Sequence, residues 1–151
     1  MLPLTLDSLA PLMDRVHQWV IQAYPNEGCG LIVERDGRLE AICCENEQDR
    51  LHALDSSRYP NTARTAYAVD PIRLMESQSN GVALRAIFHS HPDRGAYFSS
   101  QDVLGALGGD PEGEPVFSGV DYWVLGTRST GVEDAKLFGW SSARRRFEER
   151  P

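Results

Sequence analysis

The residues with the clearest chemical potential are His89 and His91, in the run Phe88-His89-Ser90-His91-Pro92. On an extended strand, residues two apart share a face, with Cα atoms about 6.8 Å apart. Two imidazoles at that spacing can converge on one metal ion. Zinc takes nitrogen and carboxylate ligands in a tetrahedron, and a catalytic zinc keeps its fourth position for water. A third protein ligand is therefore needed. Asp102, separated from His91 by ten residues, is the candidate. It falls in the first turn of a helix expected from near Ser99, where the helix dipole also favours a carboxylate. Ser99-x-x-Asp102 equally reads as a capping box with a purely structural role. Taken alone, the capping reading is preferred; beside His-x-His, the metal reading prevails.

Hydrolysis at such a centre also needs a general base. Glu27 stands in Pro25-Asn26-Glu27-Gly28-Cys29-Gly30, where glycines after it let backbone or a ligand approach closely. A lone glutamate there is otherwise a surface charge. Cys29, two positions on, is read as a small buried strand residue rather than a nucleophile, since both nearby histidines are better used on a metal. Cys43 and Cys44 are read as packing, and His17 and His52 as surface groups without partners at ligand spacing. Three cysteines, two of them adjacent, do not form a disulfide framework and point to a reducing compartment.

The elements that must position these residues follow from periodicity. Apolar residues at Leu9, Leu12, Met13, Val16, Val20 and Ala23 have helical spacing, so a helix is expected over Leu6 to Ala23, stopped by Pro25. Gly30 to Glu34 and Leu39 to Cys44 read as strands joined by the Asp36-Gly37 hairpin turn. Residues 45–65 read as an irregular loop, and Tyr67 to Val69 as a short strand. Asp70-Pro71 opens a helix ending near Asn80-Gly81. Leu84 to Ser90 is a β-rich run leading into the polar segment His91 to Gln101, and a strand extended to His91 sets both histidines on one face. Val103 to Leu107 follows as a short helix and Gly108 to Gly119 as a loop. Tyr122 to Leu125 and Ala135 to Trp140 are two closing strands. The pattern describes one α+β domain with helices on a sheet built largely of hairpins.

Length and composition agree. The chain has 151 residues, 41% hydrophobic and 25% charged, which suits one globular domain with a real core. The domain is taken as residues 1–151, with a core over about 4–140 and a C-terminal tail at 141–151. A formal net charge of −7 disfavours nucleic-acid binding. Arg144-Arg145-Arg146 is read as a solvated tail or helix. No apolar run approaches the roughly 18 residues of a membrane span, and the first residues lack a secretory n-region. A cytoplasmic protein is expected, with neither membrane nor nucleic acid as a partner.

Glu27, His89-Ser90-His91-Pro92, Ser99 and Asp102 together resemble the JAMM signature of MPN+ zinc metallopeptidases, with every signature position matched. The order of elements is similar along essentially the whole chain. The resemblance implies a cytidine-deaminase-like α/β/α sandwich with a curved central mixed sheet and flanking helices. It implies one Zn2+ per chain, held by His89, His91 and Asp102, with a water as fourth ligand. Zinc lowers the pKa of such a water from about 15.7 toward about 7. Glu27 would take the water's proton and pass it to the leaving amine. Ser99 would donate a hydrogen bond to the oxyanion. Ser90 and Pro92 are assigned to loop geometry.

Members of this family act on isopeptide or peptide bonds at the C-terminus of ubiquitin or ubiquitin-like proteins. A chain this short resembles the compact prokaryotic type, associated with ubiquitin-like or sulfur-carrier proteins bearing a C-terminal Gly-Gly tail. The expected function is deconjugation or trimming of such a partner. A non-catalytic MPN-type scaffold and a peptidase for cell-wall peptides are the alternatives. Tyr97 and Phe98 either line a groove for the substrate tail or anchor their loop. A tail in that groove could pair with a sheet edge by strand addition.

Overall fold

Asp36 and Gly37 both adopt positive φ, 52° and 75°. That is the backbone demanded by a two-residue hairpin matching the twist of its strands. They join β1 (Cys29–Arg35) to β2 (Arg38–Cys44) as expected. The structure, a computed structural model, describes residues 2–151. β3 (Val82–Pro92), β4 (Asp121–Arg128), β5 (Gly131–Ser141) and β6 (Arg146–Arg150) complete a six-stranded sheet in the order β2-β1-β3-β4-β5-β6. Hairpins account for both sides of the sheet. At the centre β3 runs antiparallel to β1 but parallel to β4, so the sheet is mixed. A parallel pair needs a crossover; here it contains a short helix, α5 (Ser100–Ala106).

Helices lie on both faces. On one, α1 (Leu6–Leu9), a 3-10 turn (Ala10–Leu12) and α2 (Met13–Ala23) bury Leu9, Val16 and Val20 against Ile32, Phe88, Trp123 and Leu137. Each such side chain contributes about 1.5–3 kcal/mol of apolar burial. The single helix expected over Leu6 to Ala23 is thus broken. Pro11 has no amide hydrogen for an α-helical bond, and the chain passes it in a 3-10 turn. The other face carries α4 (Pro71–Glu76) and α5 over Leu31, Val33, Ile87 and Tyr122. Asp70 caps α4 through its side chain, which accepts from the Ile72 amide at 2.9 Å.

Three further expectations are corrected. Residues 45–65 contain a helix, α3 (Gln48–Leu54), started by Asn46, whose Oδ1 accepts from the Gln48 amide at 3.0 Å. Tyr67 to Val69 is not a strand; Tyr67 stacks flat on His89, with ring centroids 4.4 Å apart. The segment 141–151 is not a tail. It turns through Arg145 at φ 52° and returns as β6, pairing with β5. Phe147 holds it there, packed against Phe98, Tyr122 and Trp140. Among the described residues no helix is long and apolar enough to cross a membrane.

Candidate metal centre

β3 is central in the sheet and buried from Leu84 to Pro92, so its last residues reach the sheet end already desolvated. His89 and His91 are 0% and 1% exposed and project on the face that bears α5. Their Nε2 atoms are 3.2 Å apart. Asp102, in the first turn of α5, brings Oδ2 to 3.1 Å from each of them. Tetrahedral zinc with ligands at about 2.0–2.1 Å places neighbouring donor atoms about 3.3 Å apart, close to what is found. The two readings of Asp102 prove compatible. Oδ2 also accepts from the Ser99 amide at 3.1 Å, while Ser99 Oγ accepts from the Asp102 amide at 3.0 Å, which is a full capping box. The cap holds the ligand in place.

Proton accounting favours a cation at the centre. His91 Nδ1 lies 3.0 Å from the Gly95 carbonyl oxygen, which can only accept. In the neutral ring Nδ1 therefore carries the hydrogen, and Nε2 presents a lone pair to the other two ligand atoms. Asp102 likewise presents only lone pairs when ionised. Burial pushes its carboxyl up, but the hydrogen bonds and charges of His89 and His91 overcome this and hold it well below the usual range. Burial lowers His89, against the pull of Asp102. A neutral imidazole is the form that ligates a metal. Three inward-facing lone-pair groups share at most one proton, and a divalent ion satisfies all of them. These residues could hold a metal ion.

Glu27 arrives just ahead of β1. The β1–β3 pair aligns Cys29 with His89, and Gly28 and Ser90 continue it: the Ser90 amide donates to the Gly28 carbonyl at 2.9 Å. Glu27 precedes this pair, outside the ladder: its amide donates to the Ala63 carbonyl at 2.7 Å, and its carboxyl lies near enough to Asp102 to feel that charge. Glu27 is 2% exposed. Burial pushes its carboxyl up to about 8, against the lowering effect of Arg94, whose Nη2 donates to Oε2 at 2.9 Å. The other oxygen, Oε1, is buried without a protein partner. Asn46 secures the backbone, with Nδ2 donating to the Glu27 carbonyl at 2.9 Å and to that of Ala66 at 3.0 Å.

Of the two roles left open for Tyr97 and Phe98, Phe98 takes the anchoring one. Phe98 is an anchor, within 4.9–5.5 Å (ring centroids) of Phe147, Tyr122 and Phe138. Tyr97 is 47% exposed and sets its ring edge-on to His91 at 5.0 Å. A cleft of about 690 Å³ opens beside Asp102, lined in part by Tyr59, Tyr67, Val69, Leu104 and Phe117. Cys29 is fully buried and its thiol is pushed up by burial, which leaves it no thiolate character. His52 Nδ1 is 2.8 Å from the Tyr59 carbonyl oxygen, and His17 sits on α2 over the opposite face. Neither joins the centre. Arg94, Gly95, Tyr67 and Asn46 do contribute, and no motif announced them. Arg94 and Gly95 sit in a polar turn that reads as any surface loop, and Tyr67 makes its contact across the fold.

The chain matches the model of the prokaryotic homologues of the JAB domain over residues 9–136. No curated protein matches. A protein from Desulfitobacterium hafniense, solved in solution, superposes with a TM-score of 0.60 at 20% identity, covering 91% of this chain and 84% of that one. A second, from Salinibacter ruber, gives 0.57 at 22% identity, covering 93% and 88%. At those identities the two structures share the fold. With a match that spans most of its length, this chain belongs to the prokaryotic JAB-domain family.

Proposed function

We propose that this protein is a zinc-dependent peptidase that hydrolyses an amide bond at the C-terminal tail of a ubiquitin-like or sulfur-carrier protein, by deconjugation or precursor trimming in the cytoplasm. The observation that carries the reading is the convergence of His89 Nε2, His91 Nε2 and Asp102 Oδ2 to within 3.1–3.2 Å, with the buried Glu27 carboxyl close enough to feel the charge of Asp102. A bound zinc ion supplies Lewis acidity and makes hydroxide accessible at neutral pH. Glu27 takes the proton from the attacking water and delivers it to the leaving amine. Its buried position next to one arginine suits a carboxylate that must exist in both protonation states. Ser99 Oγ accepts from the Asp102 amide and keeps its own hydrogen free to donate to the carbonyl oxygen of the substrate. The cleft beside Asp102 receives an extended, narrow tail, with apolar walls to exclude water. The two-sided layering of helices supports the cytidine-deaminase-like arrangement that the resemblance implies.

The test is cleavage of a ubiquitin-like fusion ending in Gly-Gly before the scissile bond. Zinc-loaded protein is expected to cut it, chelation to stop it, and zinc to restore it. Glu27→Gln is expected to lower the rate about 10²–10⁴-fold while retaining the metal. Cleavage by Glu27→Gln at the normal rate would refute the mechanism. One observation favours a non-catalytic scaffold instead: Arg94 already engages the base. A zinc-loaded wild type inert on every such fusion, yet binding the carrier, would establish that alternative.

A further inference from the structure

We infer that Asp134 is a positioning residue for the metal centre: it fixes the 93–96 loop, whose Gly95 carbonyl orients His91 and whose Arg94 holds Glu27. The inference rests on the functional reading above and adds a residue from outside the signature.

The register aligns His91 with Gly126 on β4, and Gly126 with Asp134 on β5. Residues directly opposite across a sheet share a face, so the three form one row running away from the metal. Immediately beyond this row the β4–β5 register shifts, with Gly126 opposite Asp134 but Thr127 opposite Val132. An extra residue on one strand re-aims its neighbours. The middle of the row has no side chain. A Cβ at position 126 would collide with Asp134 Oδ1 and lie only 2.8 Å from the Arg94 carbonyl oxygen. The space that glycine leaves is filled by the Asp134 carboxylate from one side and the loop from the other.

They meet there. The Ala96 amide donates to Asp134 Oδ2 at 3.0 Å, and Ala96 itself is buried. At the far end of the loop the Asp93 amide donates to the Thr127 carbonyl at 2.7 Å, and Tyr24 Oη donates to the Asp93 carboxylate at 2.9 Å. Between these ties lie the two groups that serve the centre. Gly95 O accepts from His91 Nδ1 at 3.0 Å and so selects the tautomer with a free Nε2. Arg94 reaches Glu27. Asp134 thus acts on the metal through His91 and on the base through Arg94, without touching either. Its carboxylate faces solvent on its other side, so on sequence alone it is one more surface acid.

The experiment compares Asp134→Ala and Asp134→Asn with the wild-type chain. Asparagine keeps an oxygen that can accept from Ala96. Zinc affinity is read by competition with a chromophoric chelator, and the His91 tautomer by imidazole nitrogen shifts in the metal-free protein. Expected results are about 10-fold weaker zinc binding in Asp134→Ala, with loss of the pure Nδ1–H form of His91, and near-wild-type values in Asp134→Asn. Unchanged zinc affinity and tautomer in Asp134→Ala overturn the inference, as does an equal loss in Asp134→Asn. A protein that cleaves no ubiquitin-like fusion but shows these shifts would retire the proposed activity and leave the role of Asp134 standing.

Discussion

Ser90 and Gly28 clasp each other from both sides: the Ser90 amide donates to the Gly28 carbonyl at 2.9 Å, and the Gly28 amide donates to Ser90 Oγ at 2.8 Å. Ser90 sits between His89 and His91, and Gly28 follows Glu27. This pair of bonds ties the segment that carries Glu27 to the strand that carries both histidines, and both members are buried. Ser90 therefore does more than shape a loop.

Ser90→Ala leaves the Gly28 amide buried without a partner, a loss of about 1–3 kcal/mol. Urea unfolding is expected to show it, and the turnover of the folded variant to fall as Glu27 loosens. A variant as stable and as active as wild type would show that the backbone bond alone keeps the register.

Glu27 gives one part of the pH response of the metal-free protein; His89, lowered by burial, gives an opposing part below about pH 6.5. Its carboxyl has an ordinary value of 4.5 and is pushed up to about 8 by burial in the fold. Between those values the folded protein holds a proton on Glu27 that the unfolded chain has released, so the Glu27 contribution to stability falls as pH rises. The contribution is complete below about pH 4.5 and lost as pH passes about 8. The slope in that window is about 1.4 kcal/mol per pH unit at most. Glu27→Gln is expected to flatten it; an unaltered slope in that variant would assign the effect elsewhere. Zinc loading should also weaken it, because a nearby cation favours the ionised carboxylate.

Arg94 lowers Glu27 by its charge and its hydrogen bond. Arg94→Ala is accordingly expected to move the acidic limb of the pH–rate profile to higher pH. A limb that stays in place would mean that Arg94 leaves Glu27 when substrate binds.

Metal binding should register as stability. At free zinc 100-fold above its dissociation constant, ligation adds about 2.7 kcal/mol, or roughly 5–10 °C in Tm for a chain of this size. Calorimetry should find the shift in wild type, see it reversed by a chelator, and miss it in Asp102→Ala. An equal shift in Asp102→Ala would place the metal elsewhere.

Phe147 tests the closing strand. It packs with Phe98, one residue before the Ser99 cap, at a centroid distance of 4.9 Å. Phe147→Ala is expected to cost about 2–4 kcal/mol in chemical denaturation. A loss near zero would return residues 141–151 to the status of a tail.

The ligand set was legible in the sequence because its geometry is mostly local. His89 and His91 share a face through strand alternation alone, and Ser99 with Asp102 forms a cap within one helical turn. Asp36-Gly37 and Asp70-Pro71 declared their turn and cap for the same reason. Tertiary structure decided what depends on separate segments. The parallel β3–β4 pairing carries no local signal, and neither does the return of β6, which hangs on aromatic contacts between Phe147 and distant rings. Glu27 was a candidate base from the glycines beside it, and the family signature strengthened that reading. Its place beside the site depends on the long-range β1–β3 pairing that brings Cys29 to His89, and its partner Arg94 is 67 residues away. Alternation and capping act over a few residues, whereas register and burial emerge only when strands far apart in the chain are brought together.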